Sequence, residues 1–152
     1  MVKAARMAGG LGATMVGYAG YEASLDYEKT RPQGRPVGVG GKDSSRPPVR
    51  IIEHADVKRM LLAQKSYCEG ALALELYCAR LVDEQHTGAP EASAEAALLL
   101  EVLTPIAQSG PREWCLEANR PARQVVGGRG YPPDSACAGQ GHGQRAQQRA
   151  QG

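Results

Sequence analysis

The stretch that decides the fold runs from residue 51 to residue 86 and reads IIEHADVKRMLLAQKSYCEGALALELYCARLVDEQH. Apolar residues recur along it at spacings of three and four, which is the repeat of one helix face. The central stripe comprises Val57, Leu61, Cys68, Ala71, Leu74, Cys78 and Leu81. Further apolar residues widen it: Met60, Tyr67, Leu72, Leu76 and Tyr77. Because apolar residues cover so much of the helix circumference, the stretch predicts a long helix buried on more than one side. Gly88 and Pro90 are typical of the end of such a helix.

Two more helices are predicted, one on each side of this stretch. Residues 2–30 carry small residues at helical spacing on one face: Gly10, Ala13, Gly17, Gly20 and Ser24. Each interior Gly costs roughly 0.8–1 kcal/mol against Ala, so this small-residue stripe predicts that another backbone packs closely against it. Residues 91–119 are predicted as a third helix, interrupted at Gly110-Pro111. Its inward face is expected to contain Ala96, Leu99, Leu100, Leu103 and Ile106.

These three helices predict an all-α fold, an up-and-down antiparallel helical bundle. The bundle domain is expected to span residues 1–131. After it the composition changes, because residues 135–152 contain no apolar residue larger than Ala except Cys137. Residues 132–152 are therefore predicted to be a disordered tail, since they cannot offset the entropy of ordering.

Residues 31–50, RPQGRPVGVGGKDSSRPPVR, are predicted to be a loop because Pro and Gly forbid a long regular element there. This loop carries five basic residues against one acidic residue, although the whole chain has a net charge of only +2. A nucleic-acid binder would spread its basic residues along an element or a face. The concentrated charge instead favours a small anion, and no nucleic-acid partner is expected.

Several classes of function lack their sequence signals. The longest apolar-looking window, Met7 to Gly20, is too short and too rich in Gly to span a bilayer. The N-terminus lacks the apolar block of a secretory signal, so a cytoplasmic location is expected. The four Cys and three His show no metal-ligand spacing, which predicts buried reduced thiols and no metal site. No nucleophile elbow or Walker-type loop is present, so no catalytic residue is assigned.

The order of the elements is more specific than any single motif. A glycine-striped helix leads into RPQGRP at 31–36, a long helix opens with IIEHADVKRMLL at 51–62, and a third runs through EWCLEANRPARQVVGGRGY at 113–131. Over residues 1 to about 134, this succession resembles the C-terminal helical domain of the FAD-dependent acyl-CoA dehydrogenases, closest to the larger bacterial members. The resemblance implies FAD as cofactor, an acyl-CoA substrate undergoing α,β-dehydrogenation, and a homo-oligomer.

The resemblance also implies site residues. The cofactor-binding positions would be Arg31, Gln33, Gln124, Gly127 and Gly128. Arg31 would neutralise pyrophosphate charge on the FAD of a neighbouring subunit, although a lone Arg at a helix end is more commonly a solvated cation. The Gln-x-x-Gly-Gly run would lie along the adenine end; taken alone, a GGxG corner is better explained as a tight interhelical turn. Arg6 would lie near the acyl-CoA site.

Two departures from the family pattern limit what the chain is expected to do. The long helix begins with His54-Ala55 where the family often has His-Gln, so His54 is interpreted as a structural residue. The family's general base is a Glu in a Glu-Gly-Thr motif beyond the GGxGY corner, and no acidic residue follows Asp134 here. We therefore expect a fragment, lacking two domains, that is inactive alone. The alternative is a non-catalytic helical module that associates with a homologous subunit.

Overall fold

The computed structural model describes residues 2–38, 41–42 and 45–126, which form three long helices. Helix α1 spans Val2–Thr30, α2 spans Ala55–Thr87 and α3 spans Pro90–Val126. Between α1 and α2 lie a short antiparallel hairpin, β1 Val37–Gly38 and β2 Gly41–Lys42, and a 3₁₀ turn at Ile51–Glu53. The prediction of an all-α up-and-down bundle is confirmed. The predicted tail and the domain boundary at residue 131 lie outside the described residues.

Helices α1 and α3 are parallel, and α2 is antiparallel to both. From Gly10 to Gly17 along α1, the residue number of the contact partner increases on α3 and decreases on α2. The contacts that define this arrangement are Gly10 with Glu75 and Ala107, and Gly17 with Cys68 and Cys115. The ends of α1 and α3 therefore lie at the same end of the bundle.

The small-residue stripe is the surface by which α1 packs on the other two helices. All five of its residues are buried. A Cβ at Gly10 would overlap the carbonyl oxygen of Ala107 and lie 3.2 Å from its carbonyl carbon. A Cβ at Gly17 would lie 2.8 Å from the Cβ of Cys115. The prediction that another backbone packs closely on this stripe is confirmed at Gly10.

Helix α2 begins at Ala55, not at residue 51 as predicted. Residues 51–53 form the 3₁₀ turn, and His54 interrupts the helix because its backbone is extended, with ψ 134°. Five residues of the predicted stripe are buried, namely Leu61, Cys68, Ala71, Cys78 and Leu81. Three residues that widen the stripe are exposed, namely Tyr67, Leu76 and Tyr77. The described residues therefore bury one side of α2 and leave the second side uncovered.

The predicted interruption of the third helix at Gly110-Pro111 is wrong, as is its predicted end at residue 119. Helix α3 is continuous to Val126 through three prolines, Pro105, Pro111 and Pro121. A proline removes one helical N–H donor and usually kinks or breaks a helix. Here Pro111 is fully buried, and the carbonyl of Ala107, four residues before it, faces Gly10 of α1. Packing against α1 thus favours a continuous helix where local sequence favours a break.

The inward face of α3 is narrower than predicted. Ala96 and Leu100 are buried, but Leu99 is 37% exposed and Ile106 is 43% exposed. Because a helix turns about 100° per residue, positions 99 and 106 lie well to one side of the buried line through Ala96, Leu100 and Ala107. The two side chains belong to the outer surface of the described bundle.

The described thiols agree with the sequence analysis. Cys68, Cys78 and Cys115 are buried and form no disulfide, whereas Cys137 lies outside the described residues. Among the residues that the structure describes, no three His, Cys, Asp or Glu side chains are grouped as a metal site would require. No described helix is long and apolar enough to cross a bilayer.

Candidate functional site

A cavity of about 350 Å³ lies where the α1–α2 loop, the start of α2 and the end of α3 meet. Its lining residues are Gln33, Gly34, Ile51, His54, Val57, Met60 and Gln124. Ile51 and Met60 are buried and belong to its apolar part, whereas Gln33 and Gln124 are exposed and supply side-chain amides. The two glutamines are far apart in sequence. Both reach the same cavity because α1 and α3 are parallel and end at the same end of the bundle.

A short ladder of backbone hydrogen bonds positions Gln33. Its N–H donates to the carbonyl of Val49 at 2.8 Å, and the N–H of Val49 donates to the carbonyl of Gly34 at 3.1 Å. The N–H of Ile51 donates to the carbonyl of Arg31 at 2.9 Å. Because side chains alternate along an extended chain, Arg31 and Gln33 lie on the same side of this ladder.

His54 fastens the start of α2 to the loop. Its Nε2–H donates to the carbonyl of Gln33 at 2.8 Å, and the acceptor is a carbonyl, so this nitrogen carries the proton. Gly34 has φ +77°, and a Cβ there would lie 3.0 Å from Nε2 of His54. Glycine at position 34 thus permits both the left-handed turn and the close approach of the imidazole. This contact agrees with the interpretation of His54 as a structural residue.

The loop that borders the cavity carries exposed cationic side chains. Arg31, Arg46 and Arg50 are exposed, and Arg35 is half-buried with its Nε–H donating to the carbonyl of Arg46 at 2.5 Å. A guanidinium group offers several N–H donors in a planar fork that matches a phosphate. The loop therefore has the charge to receive an anion beside the cavity.

The other predicted site residues lie elsewhere. Arg6 is exposed near the start of α1, about 37 Å along the helix axis from Arg31 at a rise of roughly 1.5 Å per residue. Gly127 and Gly128 lie outside the described residues. The structure thus places Gln33 and Gln124 in the lining of one cavity, with Arg31 two residues before Gln33 in the chain, and keeps Arg6 apart. The binding roles assigned to these residues stay predictions.

A second, larger groove of about 470 Å³ runs along α3. It is lined by Gln108, Ser109, Arg112, Glu113, Leu116, Glu117 and Arg120. All of these residues come from one helix, and none of them belongs to the predicted site. The groove is therefore a feature of the surface of α3 alone. The first cavity, in contrast, is formed where residues of several elements come together.

Curated relatives of the chain share one chemistry in their names. The chain is 33% identical over 138 residues to 3-methylmercaptopropionyl-CoA dehydrogenase of Ruegeria pomeroyi, which covers 91% of the chain and 23% of that protein. It is 35% identical over 121 residues to a butyryl-CoA dehydrogenase of Syntrophomonas wolfei, covering 79% and 19%. A broad-specificity linear acyl-CoA dehydrogenase of Mycobacterium tuberculosis is 31% identical over 137 residues, covering 88% and 22%.

The chain belongs to the acyl-CoA dehydrogenase family. The resemblance found in the sequence is thereby confirmed, although no protein-family model matches the chain. The chain spans about a fifth of the length of the curated relatives it matches.

Sequence analysis missed two buried glutamates in this member of the acyl-CoA dehydrogenase family. Glu28 is fully buried near the end of α1, and neither carboxyl oxygen has a hydrogen-bond partner among the described residues. Glu75 is 6% exposed, and its Oε1 also lacks a described partner. Burial raises the pKa of each carboxyl to about 7. The sequence contained one indication that Glu28 is buried. It lies one helical turn after Ser24 and therefore on the same helix face as the small-residue stripe.

Proposed function

We propose that this bundle is the flavin-contacting helical part of an FAD-dependent acyl-CoA dehydrogenase, and that the cavity at Gln33 and Gln124 receives part of the cofactor. One observation supports the proposal above all others: two residues singled out by family resemblance, from distant parts of the sequence, line the same cavity. The names of the relatives supply the substrate class, an acyl-CoA thioester.

The residues around the cavity fit the chemistry of FAD. An adenine ring has apolar faces and hydrogen-bonding edges, and the cavity combines Ile51, Val57 and Met60 with two side-chain amides. An amide can both donate and accept, so it matches such an edge without requiring a charge. Arg31, on the same side of the ladder as Gln33, would balance pyrophosphate charge. FAD, when bound, supplies the hydride acceptor for oxidation of the acyl chain.

We assign to this chain binding and positioning, not proton abstraction. Removal of an α-proton needs a base within hydrogen-bond reach of the substrate. Glu28 and Glu75 are buried and are not among the residues that line the cavity. The proposal therefore includes that these 152 residues do not dehydrogenate acyl-CoA by themselves.

The test is a titration of the isotope-labelled chain with FAD, followed by NMR. The side-chain amide signals of Gln33 and Gln124 are expected to shift. Gln33→Ala and Gln124→Ala should each weaken binding several-fold, because a hydrogen bond contributes about 1 kcal/mol. Gln108→Ala is the matched control, since this α3 glutamine lies in the other groove. Equal effects of all three substitutions, or none, would contradict the assignment. With acyl-CoA and an electron-accepting dye, the FAD-saturated chain should reduce no dye.

A second candidate function is association with a homologous subunit without catalysis. The outer faces of α2 and α3 carry four strongly exposed apolar side chains, with exposures of 67% for Leu62, 61% for Leu76, 68% for Leu98 and 65% for Val102. Exposed apolar surface of this kind is typical of a protein–protein contact. Light scattering coupled to size exclusion is expected to show a dimer or larger species. A monodisperse monomer at micromolar concentration would count against this function.

A further inference from the structure

Two thiols from different helices meet in the interior of the bundle. Cys68 of α2 and Cys115 of α3 are both fully buried, and both face Gly17 of α1. A Cβ placed on Gly17 would lie 3.2 Å from the Sγ of Cys68 and 2.8 Å from the Sγ of Cys115. Both sulfur atoms thus lie close to the position that a Cβ of residue 17 would take. Glycine at this position leaves the space that the two sulfur atoms occupy.

The two neighbouring thiols also influence each other's ionisation. Their mutual interaction lowers the pKa of Cys115 and raises that of Cys68. Because the thiolate is the nucleophile in thiol–disulfide exchange, Cys115 is the better attacking group of the pair. A disulfide needs a sulfur separation of about 2.05 Å, so bond formation requires the two free thiols to move into bonding distance of each other.

Cys78 provides an internal comparison. It is as deeply buried on α2 as Cys68, but it belongs to the apolar cluster with Leu81, Ala96, Leu100 and Ala107. Cys78 is the one thiol among the described residues of that cluster. Burial on α2 is therefore common to both cysteines, but within the described part of the chain only Cys68 has a thiol from α3 near it.

We propose that Cys68 and Cys115 are a thiol–disulfide site, at which a small-molecule disulfide such as oxidised glutathione closes a reversible covalent link between α2 and α3. The Cys115 thiolate attacks one sulfur of the oxidant and releases one glutathione thiolate. The Cys68 thiolate then attacks the Cys115 sulfur of the mixed disulfide and releases the second. One protein S–S bond forms and one glutathione S–S bond breaks. The two thiol protons and the reducing electron pair end on two glutathione thiols.

The experiment refolds the full chain in buffers dominated by oxidised or by reduced glutathione, so that burial of the thiols does not limit access. Circular dichroism first establishes that the refolded chain is helical. Peptide mapping without reductant is expected to find the peptides of Cys68 and Cys115 joined, with the loss of two hydrogen atoms. The link should raise the thermal midpoint by on the order of 10 °C and be reversed by dithiothreitol.

All arms carry Cys137→Ser, so that a thiol outside the described residues takes no part. Cys78→Ser should keep the link, whereas Cys68→Ser and Cys115→Ser should each abolish it together with the rise in thermal midpoint. Cys68→Ala and Cys115→Ala replace the serine variants if burying the hydroxyl prevents folding. A helical chain that stays fully reduced in oxidised glutathione, or a link made through Cys78, would overturn the proposal.

Discussion

Gly10→Ala is expected to destabilise the bundle by about 2 kcal/mol or more, even though Ala is the better helix former. The added methyl would overlap the carbonyl oxygen of Ala107 and the Oε1 of Glu75. The Glu75 side chain can move, but the Ala107 carbonyl belongs to the backbone of α3. Relief would require α1 and α3 to separate, which would reduce the burial of the whole small-residue stripe. Urea denaturation followed by circular dichroism measures the effect.

Gly12→Ala is the matched control on the same helix. A Cβ at Gly12 would have no atom of the other described helices within 4 Å, so only the propensity difference remains, and we expect stabilisation of up to about 1 kcal/mol. The two Gly→Ala substitutions should therefore change the free energy of unfolding in opposite directions. If both stabilise the chain, then α1 does not pack on α3 at Gly10 as described.

The stability of the bundle is expected to fall as the pH rises from about 4.5 to about 7. Glu28 and Glu75 have pKa values raised by burial from 4.5 to about 7 in the folded chain. Between these values the folded chain binds more protons than the unfolded chain, so deprotonation favours unfolding. Each glutamate accounts for a loss of up to about 3 kcal/mol, present in full above the folded pKa. Urea midpoints measured from pH 4 to pH 8.5 check this dependence.

Two substitutions and one control assign that pH dependence. Glu28→Gln and Glu75→Gln remove the titrating group while keeping the side-chain shape, so each should flatten part of the slope. Glu22→Gln changes an exposed glutamate of α1 and should leave the slope intact. A midpoint that rises between pH 5 and pH 7.5, or a slope that persists in the double Gln variant, would show that these carboxyls are not the cause.

The sequence predicts the packing of α1 better than the course of α3, for a physical reason. Glycines at helical spacing are costly unless a backbone covers them, so Gly10 and Gly17 signal a contact directly. Pro111 locally favours a helix break, and its burial in the packed bundle compensates for this preference. Local propensity cannot anticipate such an outcome, because the compensating contact lies about a hundred residues away in the chain.

The candidate site shows the same division. Arg31, Gln33 and Gln124 could be named from a resemblance, but nothing local indicates that Gln33 and Gln124 line one cavity. Their meeting depends on the parallel arrangement of α1 and α3. The apolar lining of the cavity could not be recognised in the sequence either, because Val57 and Met60 have the spacing of ordinary core positions of α2. His54 was interpreted as structural from the sequence, but its hydrogen bond to the carbonyl of Gln33 could be recognised only in the fold.

The parallel arrangement of α1 and α3 makes the site sensitive to insertions and deletions far from it. One extra residue in α3 between the Gly10–Ala107 contact and Gln124 would rotate that glutamine by about 100° around its helix axis. The amide would then point away from the loop, although no residue of the cavity had changed. Length variation within this part of the helix should therefore be tolerated only in multiples that restore the angular phase, in this protein and in any relative that uses the same pair.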